Sequence, residues 1–261
     1  MTRLASKIAL ITGAANGIGR DSALRMAQEG GSIVCADLDE AGAARTAAMI
    51  DQQGGRAMGL ALVVGDSNAV QDALQTTLSQ FGGLHVLFNN AGIALGDVDW
   101  DTIIRVNLTG VKNGLEHAAP LMAEQGGGVI LNTASVAGLG GLVGAPADPA
   151  ETTDDEEDQS SNVGAYVASK HGVVGLTRQF AVAYGSLGVR VNAIAPGYIE
   201  TAMTAEMRET QEGTDFLISL HPMGRLGQPA EIAAVAAFLA SEDASFINGA
   251  VIPVDGGYTA R

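Results

Sequence analysis

The fold is decided by the stretch Lys7-Ile8-Ala9-Leu10-Ile11-Thr12-Gly13-Ala14-Ala15-Asn16-Gly17-Ile18-Gly19. Its first half is a short, continuous apolar run, typical of a strand buried on both faces of a parallel sheet. Its second half is a glycine-rich turn that opens a helical pattern extending to about Glu29. Glycine lets the backbone turn sharply and approach a ligand, and the free N–H groups at a helix start attract phosphate. The stretch predicts a βα unit with a phosphate-binding turn, although a plain strand-to-helix connection has the same pattern.

The next apolar run supplies a second strand and an acid at its end. It covers Ser32 to Ala36 and is followed by Asp37, 18 residues beyond Gly19. An acid at this place accepts hydrogen bonds from the ribose of an adenosine, and its charge repels a 2′-phosphate. We therefore expect NAD rather than NADP as the ligand. The alternative is that Asp37 only helps to cap the helical pattern that runs from Asp39-Glu40 to about Gln53.

Strand and helix patterns continue to alternate to the end of the chain. Further strands are predicted over residues 57–64, 84–88, 128–133, 189–194 and 251–254, and helices over residues 67–80, 99–122, 166–184 and 231–240. Strands separated by helices imply parallel βαβ units, with right-handed crossovers that cover both faces of one sheet. We predict a single α/β domain over residues 1–261, a doubly wound parallel sheet of about seven strands.

Composition and charge narrow the class of protein. The chain has 261 residues, of which 47% are hydrophobic and 16% charged, as in a globular protein. A net charge of −15 argues against nucleic acid and anionic membranes as partners. Cys35 is the single cysteine, so no intrachain disulfide can form. With no leader-like or membrane-spanning apolar run, we expect a soluble cytoplasmic protein.

Tyr166 and Lys170 lie one helical turn apart in Ala165-Tyr166-Val167-Ala168-Ser169-Lys170. Forming a tyrosine phenolate at pH 7 costs about 4 kcal/mol, because the unperturbed pKa is about 10. A cation about 5 Å away, at an effective dielectric of about 20, contributes roughly 3 kcal/mol of this. The pair can therefore act as a base when a second positive charge is near. The same spacing also occurs by chance on ordinary helix surfaces.

Taken together, the motifs resemble the short-chain dehydrogenase/reductase family over nearly the whole chain. They are Thr12-Gly13-x-x-x-Gly17-Ile18-Gly19, Asn89-Asn90-Ala91-Gly92, Asn107, Ser135, Tyr166-x-x-x-Lys170 and Pro196-Gly197-x-x-x-Thr201, in the family's order. The resemblance implies a Rossmann-type fold, with the cofactor lying across the carboxyl ends of the strands. It also implies a homotetramer. We expect no metal ion, because the acidic run between Asp148 and Asp158 lacks the glycine and the spacing of a calcium loop.

The resemblance implies a role for each matching residue. Tyr166 is expected to be the general acid/base, and Lys170 to lower its pKa and hold the nicotinamide ribose. Ser135 is expected to steady the substrate oxygen, and Asn107 to extend a proton relay, although an asparagine in mid-helix also marks a kink. The implied cofactor-binding residues are Gly13, Asn16, Gly17, Ile18, Gly19, Asp37, Val64, Asn90, Ala91, Gly92, Tyr166, Lys170, Pro196, Gly197, Ile199 and Thr201.

The reaction implied is the interconversion of a secondary alcohol and its ketone, with hydride passing to or from NAD and a proton to or from Tyr166. One alternative is reduction of a 3-oxoacyl thioester, which Asp37 disfavours because that biosynthetic reaction uses NADPH. Another is a catalytically silent NAD-binding protein, which would be expected to lack part of the set of Asn107, Ser135, Tyr166 and Lys170.

The chain also departs from the family. Val63 stands where many members have an aspartate beside the adenine, so we expect backbone groups near Val64 to bind that ring. An insertion over about residues 140–163 contains seven acids between Asp148 and Asp158; it predicts either a solvated, extended flap or a lid over the substrate. A substrate loop is expected over about residues 198–221. Met203, Met207 and Met223 either line a pocket or only pack, and His221 is expected to be a loop residue without a role.

Overall fold

The computed structural model of the chain describes residues 2–94, 98–142 and 154–261, with residues 154–162 described by their backbone alone. Seven strands form one sheet. They are β1 (Ile8–Thr12), β2 (Ser32–Asp37), β3 (Arg56–Ala61), β4 (Val86–Asn89), β5 (Gly128–Thr133), β6 (Val189–Pro196) and β7 (Val251–Val254). The strand order is β3-β2-β1-β4-β5-β6-β7, and every neighbouring pair is parallel. The predicted doubly wound parallel sheet is confirmed.

Helices connect the strands and cover the sheet. They are α1 (Gly17–Gln28), α2 (Glu40–Gln52), α3 (Ser67–Phe81), α4 (Trp100–Ile104), α5 (Gly110–Glu124), α6 (Asp154–Tyr184), α7 (Gln211–Ser219) and α8 (Pro229–Ala240). A π-helical segment, Arg105–Thr109, joins α4 to α5. No helix in the described part of the chain is both long and apolar enough to cross a membrane.

Successive side chains of each strand enter two different cores, because strand side chains alternate between the faces of a sheet. On β1, Ile11 packs with Met26 of α1 and Ile232 of α8. The adjacent Leu10 packs on the other face with Leu74 of α3 and Leu115 of α5. All six residues are almost fully buried. The strands are therefore covered on both faces, which explains their continuous apolar sequences.

The order of the strands reverses at β1, whose neighbours are β2 and β4. The chain leaves β1 toward α1 and leaves β4 toward α4, so a crevice opens between the carboxyl ends of these two strands. In open α/β sheets this switch point is where ligands bind. The glycine turn after Thr12 and the turn after Asn89 both lie at this edge.

Two local differences from the sequence predictions lie near this edge. Helix α6 begins at Asp154, so the backbone of residues 154–158 is helical rather than extended; acids in a first turn are favoured by the helix dipole. The expected substrate loop contains two 3₁₀ turns and helix α7. Trp100, at the start of α4, lies against α6 at Gly164, where an added Cβ would be 4.0 Å from the indole ring.

Candidate functional site

A cavity of about 690 Å³ opens at the carboxyl ends of the strands. It extends from Asp37 at the end of β2 to Lys170 on α6. The expected site residues that line it are Gly13, Asn16, Gly17, Ile18, Asp37, Val64, Asn90, Ala91, Gly92, Ser135, Tyr166, Lys170, Pro196, Gly197, Ile199 and Thr201. Of the residues expected to form the site, Gly19 and Asn107 do not line this cavity.

The glycine turn leaves room for a ligand and donors to bind it. Gly13 has a φ of +68°, and an added Cβ would lie 2.9 Å from the Cα of Ala91, so only glycine fits there. Asn16 precedes α1 in an extended conformation, and its side chain makes no capping hydrogen bond. The first N–H groups of α1 therefore remain available at the cavity wall, as binding of a dinucleotide pyrophosphate requires.

Gly19, which is expected to bind the cofactor, has a packing role in the structure. A Cβ on this residue would overlap with the carbonyl oxygen of Gly13 and lie 2.7 Å from the side-chain nitrogen of Asn90. Gly19 is buried and faces the turn rather than the cavity. It allows α1 to lie close against the end of β1.

Asp37 is fixed at the cavity wall by backbone donors. Its Oδ2 accepts from the N–H of Ala15 at 2.9 Å, and its Oδ1 accepts from the N–H of Asp39 at 3.0 Å. Asp37 does not cap helix α2. Asp39 does, because its side chain accepts a hydrogen bond from the N–H of Gly42. Each carboxylate oxygen of Asp37 keeps a lone pair for another donor, such as a ribose hydroxyl.

Polar side chains tie together the strand ends beneath the cavity. The hydroxyl of Thr12 accepts from the N–H groups of Asn90 and Ala91, both at 3.0 Å. The amide of Asn90 donates to the carbonyl of Thr12 at 3.0 Å and accepts from the hydroxyl of Thr133 at 3.1 Å. β1, β4 and β5 are therefore held in register where they meet the cavity.

Adenine would lie near Val63 and Val64. Val63 is 53% exposed and lines the cavity, so an apolar side chain occupies the place where many family members have an acid. The carbonyl of Val64 accepts from the amide of Asn113 at 2.9 Å, which fixes the backbone at this point. Arg105, on the π-helical segment, completes the wall at this end of the cavity.

Ser135, Tyr166 and Lys170 meet at the other end. Lys170 is 4% exposed, and its Nζ donates to the carbonyl of Thr133 at 2.9 Å and lies 5.6 Å from the centre of the Tyr166 ring. The hydroxyl of Ser135 accepts from the N–H of Ala137 at 3.1 Å, which leaves its own proton free to donate. α6 and the end of β5 thus place a phenol, an ammonium and a hydroxyl around one point.

Burial opposes the charged forms of Lys170 and Tyr166. It lowers the pKa of Lys170 from 10.5 to about 8. It raises the pKa of Tyr166, and hydrogen bonding with Ser135 opposes this in part. The expectation that Lys170 lowers the pKa of Tyr166 therefore does not describe the cofactor-free protein, where burial has the larger effect.

Asn107 lies behind the cavity and holds the segment that follows Gly92. Its Oδ1 accepts from the N–H of Ile93 and its Nδ2 donates to the carbonyl of Ile93, both at 2.8 Å. It lies in the π-helical segment, a conformation often found at functional sites. Its amide is 0% exposed and engaged with the backbone, so any part it has in proton transfer would be indirect.

The segment after Pro196 closes the cavity from above. A Cβ on Gly17 would lie 3.3 Å from the Cγ2 of Thr201, so this segment touches the glycine turn. The carbonyl of Thr201 accepts from Arg208 at 3.0 Å. Met203 lines the main cavity, whereas Met223 lines a different one and is 63% exposed.

A small apolar cavity of about 80 Å³ adjoins Ser135 and Tyr166. Its wall includes Tyr198, whose ring lies edge-on to His221. His221 lies in the loop after α7, as expected, but it is 3% exposed and hydrogen bonded through both ring nitrogens, so it has a structural role that the sequence did not predict. Sequence reasoning missed this pair, and the only available signal was the number of apolar and aromatic residues in the segment 198–221.

Residues 143–153, which belong to the acidic insertion, lie outside the described residues. The structure therefore does not test whether this insertion forms a lid over the substrate.

Comparison with known proteins agrees with this geometry. Residues 7–148 match the short chain dehydrogenase family, and residues 152–259 match a family described as enoyl-(acyl carrier protein) reductase. The chain is 40% identical to cyclohexanol dehydrogenase of Acinetobacter sp. (strain SE19), over 98% of this chain and 96% of that protein. It is 36% identical to the 3-oxoacyl-[acyl-carrier-protein] reductase FabG of Thermotoga maritima, over 98% of both chains.

A solved structure of a similar protein has the same fold as this chain. The crystal structure of levodione reductase superposes with a TM-score of 0.87 at 36% identity, covering 98% of this chain and 99% of that one. Residues fit for a dinucleotide line the switch point of the sheet, and the sequence matches extend over both halves of the chain. The chain therefore belongs to the short-chain dehydrogenase/reductase family and is an oxidoreductase that uses a nicotinamide dinucleotide and acts on CH–OH groups.

Proposed function

We propose that this protein is an NAD-dependent dehydrogenase that interconverts a small secondary alcohol and its ketone, with Tyr166 as the general acid/base. The observation that carries the proposal is the meeting of Ser135, Tyr166 and Lys170 at one end of a cavity whose other end has Asp37. The kinship to a protein named for cyclohexanol supports a neutral alcohol as the substrate.

The residues divide the chemistry between them. Ser135 donates a hydrogen bond to the substrate oxygen, and the Tyr166 phenolate removes the hydroxyl proton as the carbon–hydrogen bond breaks. When bound, oxidised nicotinamide would supply the hydride acceptor and, until the transfer, a positive charge near Tyr166. Ketone reduction is the reverse, with Tyr166 returning the proton. The cavity wall fixes the reacting carbon and so reduces the entropic cost of bringing the two reactants together.

Lys170 acts on Tyr166 through its charge. Its Nζ, 5.6 Å from the ring centre, favours the phenolate, whereas burial favours the neutral phenol. Because burial has the larger effect without cofactor, we infer that the positive charge of the oxidised cofactor is needed to make Tyr166 a base. The protein would then generate its base mainly when NAD is bound.

The test of the base is Tyr166→Phe, which removes only the hydroxyl. We expect turnover of secondary alcohols to fall by about 10²–10⁴-fold, the contribution that general acid–base catalysis makes. The dissociation constant of NADH should change less than about threefold. Tyr184→Phe, on the same helix, is the matched control and should keep full activity. A Tyr166→Phe enzyme with most of its activity would refute the proposal.

The preference for NAD rests on Asp37. Its carboxylate lies where a ribose 2′-hydroxyl can donate to it, and it would repel a 2′-phosphate. We expect kcat/KM with NAD to exceed that with NADP by at least a factor of about 100. Asp37→Ser should lower the preference to less than about tenfold, because the repulsion is lost. A wild-type enzyme that works equally well with both cofactors would show that Asp37 does not select the cofactor.

One alternative function, reduction of a 3-oxoacyl thioester, is supported by a specific observation. The identity to the Thermotoga maritima FabG covers nearly the whole chain, which favours a 3-oxoacyl thioester as substrate. Assay of acetoacetyl-coenzyme A with NADH and with NADPH, beside cyclohexanone, distinguishes the two. Faster reduction of the thioester would favour the alternative. A net charge of −15 argues against it, because acyl carrier proteins are acidic.

We also propose a homotetramer in a reducing cytoplasm, as family membership implies. Exposed apolar side chains support association, since Phe246 is fully exposed and Val182 is 82% exposed. The single cysteine, Cys35, is buried and free. Light scattering after size exclusion should give a mass of about four chains of 26.5 kDa.

A further inference from the structure

The small cavity beside Ser135 and Tyr166 is apolar over most of its wall. Among the described residues, its apolar side chains are Ala94, Val136, Leu142, Met203 and Met207, and no charged side chain lines it. A neutral substrate of few carbon atoms fits such a wall, because a charged group there would lose its hydration without a partner.

Two further hydroxyl groups line this cavity, and one of them is already engaged. Thr204 donates to the carbonyl of Ile199 at 2.6 Å and accepts from the N–H of Thr201 at 3.3 Å. Tyr198 differs, because no hydrogen bond to its hydroxyl is found within the described part of the chain. Burial and the nearby Tyr258 and Tyr166 raise the pKa of Tyr198 to about 12. Its phenol therefore stays neutral and can donate.

Tyr198 is held in place from behind. Its backbone N–H donates to Nε2 of His221 at 3.2 Å, and Nδ1 of His221 lies 2.8 Å from the carbonyl of Leu217. With Nε2 as an acceptor, the proton is assigned to Nδ1, so the ring is neutral and bridges Tyr198 to α7. The rings of Tyr198 and His221 also meet edge to face, with centres 5.9 Å apart. This support fixes the orientation of the phenol.

Beside Tyr198 lies a second phenol without a partner. Tyr258 is 9% exposed, its ring centre is 6.2 Å from that of Tyr198, and it packs in the same cluster as Val136 of the cavity wall. Its buried hydroxyl finds no hydrogen-bond partner among the described residues. Tyr258 does not itself line the cavity, so of these two phenols it is Tyr198 that a ligand in the cavity meets.

We propose that Tyr198 forms a second polar contact in the substrate cavity and binds a second oxygen of the substrate. The substrate is then a small, neutral, bifunctional molecule: a diol, a hydroxyketone or a diketone. Ser135 and Tyr166 bind the oxygen that reacts, and Tyr198 binds the oxygen that does not. This inference rests on the proposed function, since it concerns the substrate of the same site.

The test compares cyclohexanol with the isomeric 1,2-, 1,3- and 1,4-cyclohexanediols, using NAD and rates per hydroxyl group. We expect the wild-type enzyme to favour at least one diol over cyclohexanol in kcat/KM. Tyr198→Phe keeps the ring and its contact with His221 but removes the hydroxyl. It should lower the ratio of kcat/KM for the favoured diol to kcat/KM for cyclohexanol by about tenfold. Tyr184→Phe should change neither substrate.

Each outcome of this experiment either supports the proposed contact at Tyr198 or overturns it. An equal loss for diol and cyclohexanol in Tyr198→Phe would mean a structural role only, and no preference for any diol in the wild type would also overturn the proposal. Loss of NADH binding in Tyr198→Phe would indicate a damaged fold, and the wild-type preference for a diol over cyclohexanol then carries the comparison. If no alcohol is oxidised at all, the proposed function fails separately. The dissociation constants of the same alcohols for the NADH-bound protein then decide whether the second contact exists.

Discussion

The buried ammonium of Lys170 makes the stability of the cofactor-free protein depend on pH. Burial lowers its pKa from 10.5 to about 8, so the folded protein releases this proton more readily than the unfolded chain. Between these two values the unfolded state binds more protons, and stability therefore rises with pH. Integrating this difference in bound protons from about pH 7 to pH 9.5 gives the change in the free energy of unfolding. Relative to a variant without the amine, the wild type gains about 2 kcal/mol over this range.

The variant is Lys170→Met, which keeps an unbranched chain of similar length. The free energies of unfolding of both proteins in urea, at one protein concentration and without cofactor, give their difference at each pH. Staying below about pH 9.5 limits the contribution of Tyr166, whose pKa is raised from 10.0. Lys112→Met is the control: Lys112 is a half-exposed lysine paired with Glu116 on α5. A difference between wild type and Lys170→Met that stays constant within about 0.5 kcal/mol would refute the reasoning.

Two further predictions concern the framework of the site. Gly19→Ala should destabilise the protein by at least about 2 kcal/mol and weaken NADH binding, because the added methyl overlaps with the Gly13 carbonyl oxygen. Gly175→Ala, on the exposed face of α6 with no atom within 4 Å of the added methyl, should instead stabilise by about 0.5–1 kcal/mol in the same urea experiment. Asn107→Ala should cost about 2–3 kcal/mol, because the N–H and carbonyl of Ile93 lose their partners. Unchanged urea midpoints for Gly19→Ala or Asn107→Ala would contradict the packing described for them.

Strands were the most predictable elements because each is a short apolar run between turn residues. The sequence prediction for β5, Gly128–Thr133, and for β7, Val251–Val254, agrees with the structure at both ends. β3 ends at Ala61 rather than Val64, since the apolar run continues past the last paired residue and Val63 faces the cavity. Apolar character alone does not distinguish a residue in a strand from one that lines a ligand site.

Helix α7 was missed for a physical reason. Its sequence, Gln211–Ser219, is short and contains Gly213, so its intrinsic helix propensity is low. What stabilises it is tertiary: Leu217 packs into a cluster with Val136 and Tyr258, residues distant in sequence. The cap at Thr210, which accepts from the N–H of Gly213, was the local signal.

The candidate site was predictable where one local motif carries the geometry, as in the glycine turn and the pair on α6. It was not predictable where distant segments meet. Tyr198 and His221 are 23 residues apart and are joined by a hydrogen bond that only the packed chain brings about. The pKa direction of Tyr166 also depended on burial, which spacing along a helix cannot give.

The position of Trp100 has a practical consequence for spectroscopy. The chain has a single tryptophan, and its indole rests against Gly164, two residues before Tyr166 on the same helix. Intrinsic fluorescence from tryptophan therefore arises at one place, beside the helix that bears the reactive phenol. Reduced nicotinamide absorbs where tryptophan emits, so energy transfer from this indole would report occupancy of the cavity. Binding constants for every variant described above then become measurable by titration, without a label and without turnover.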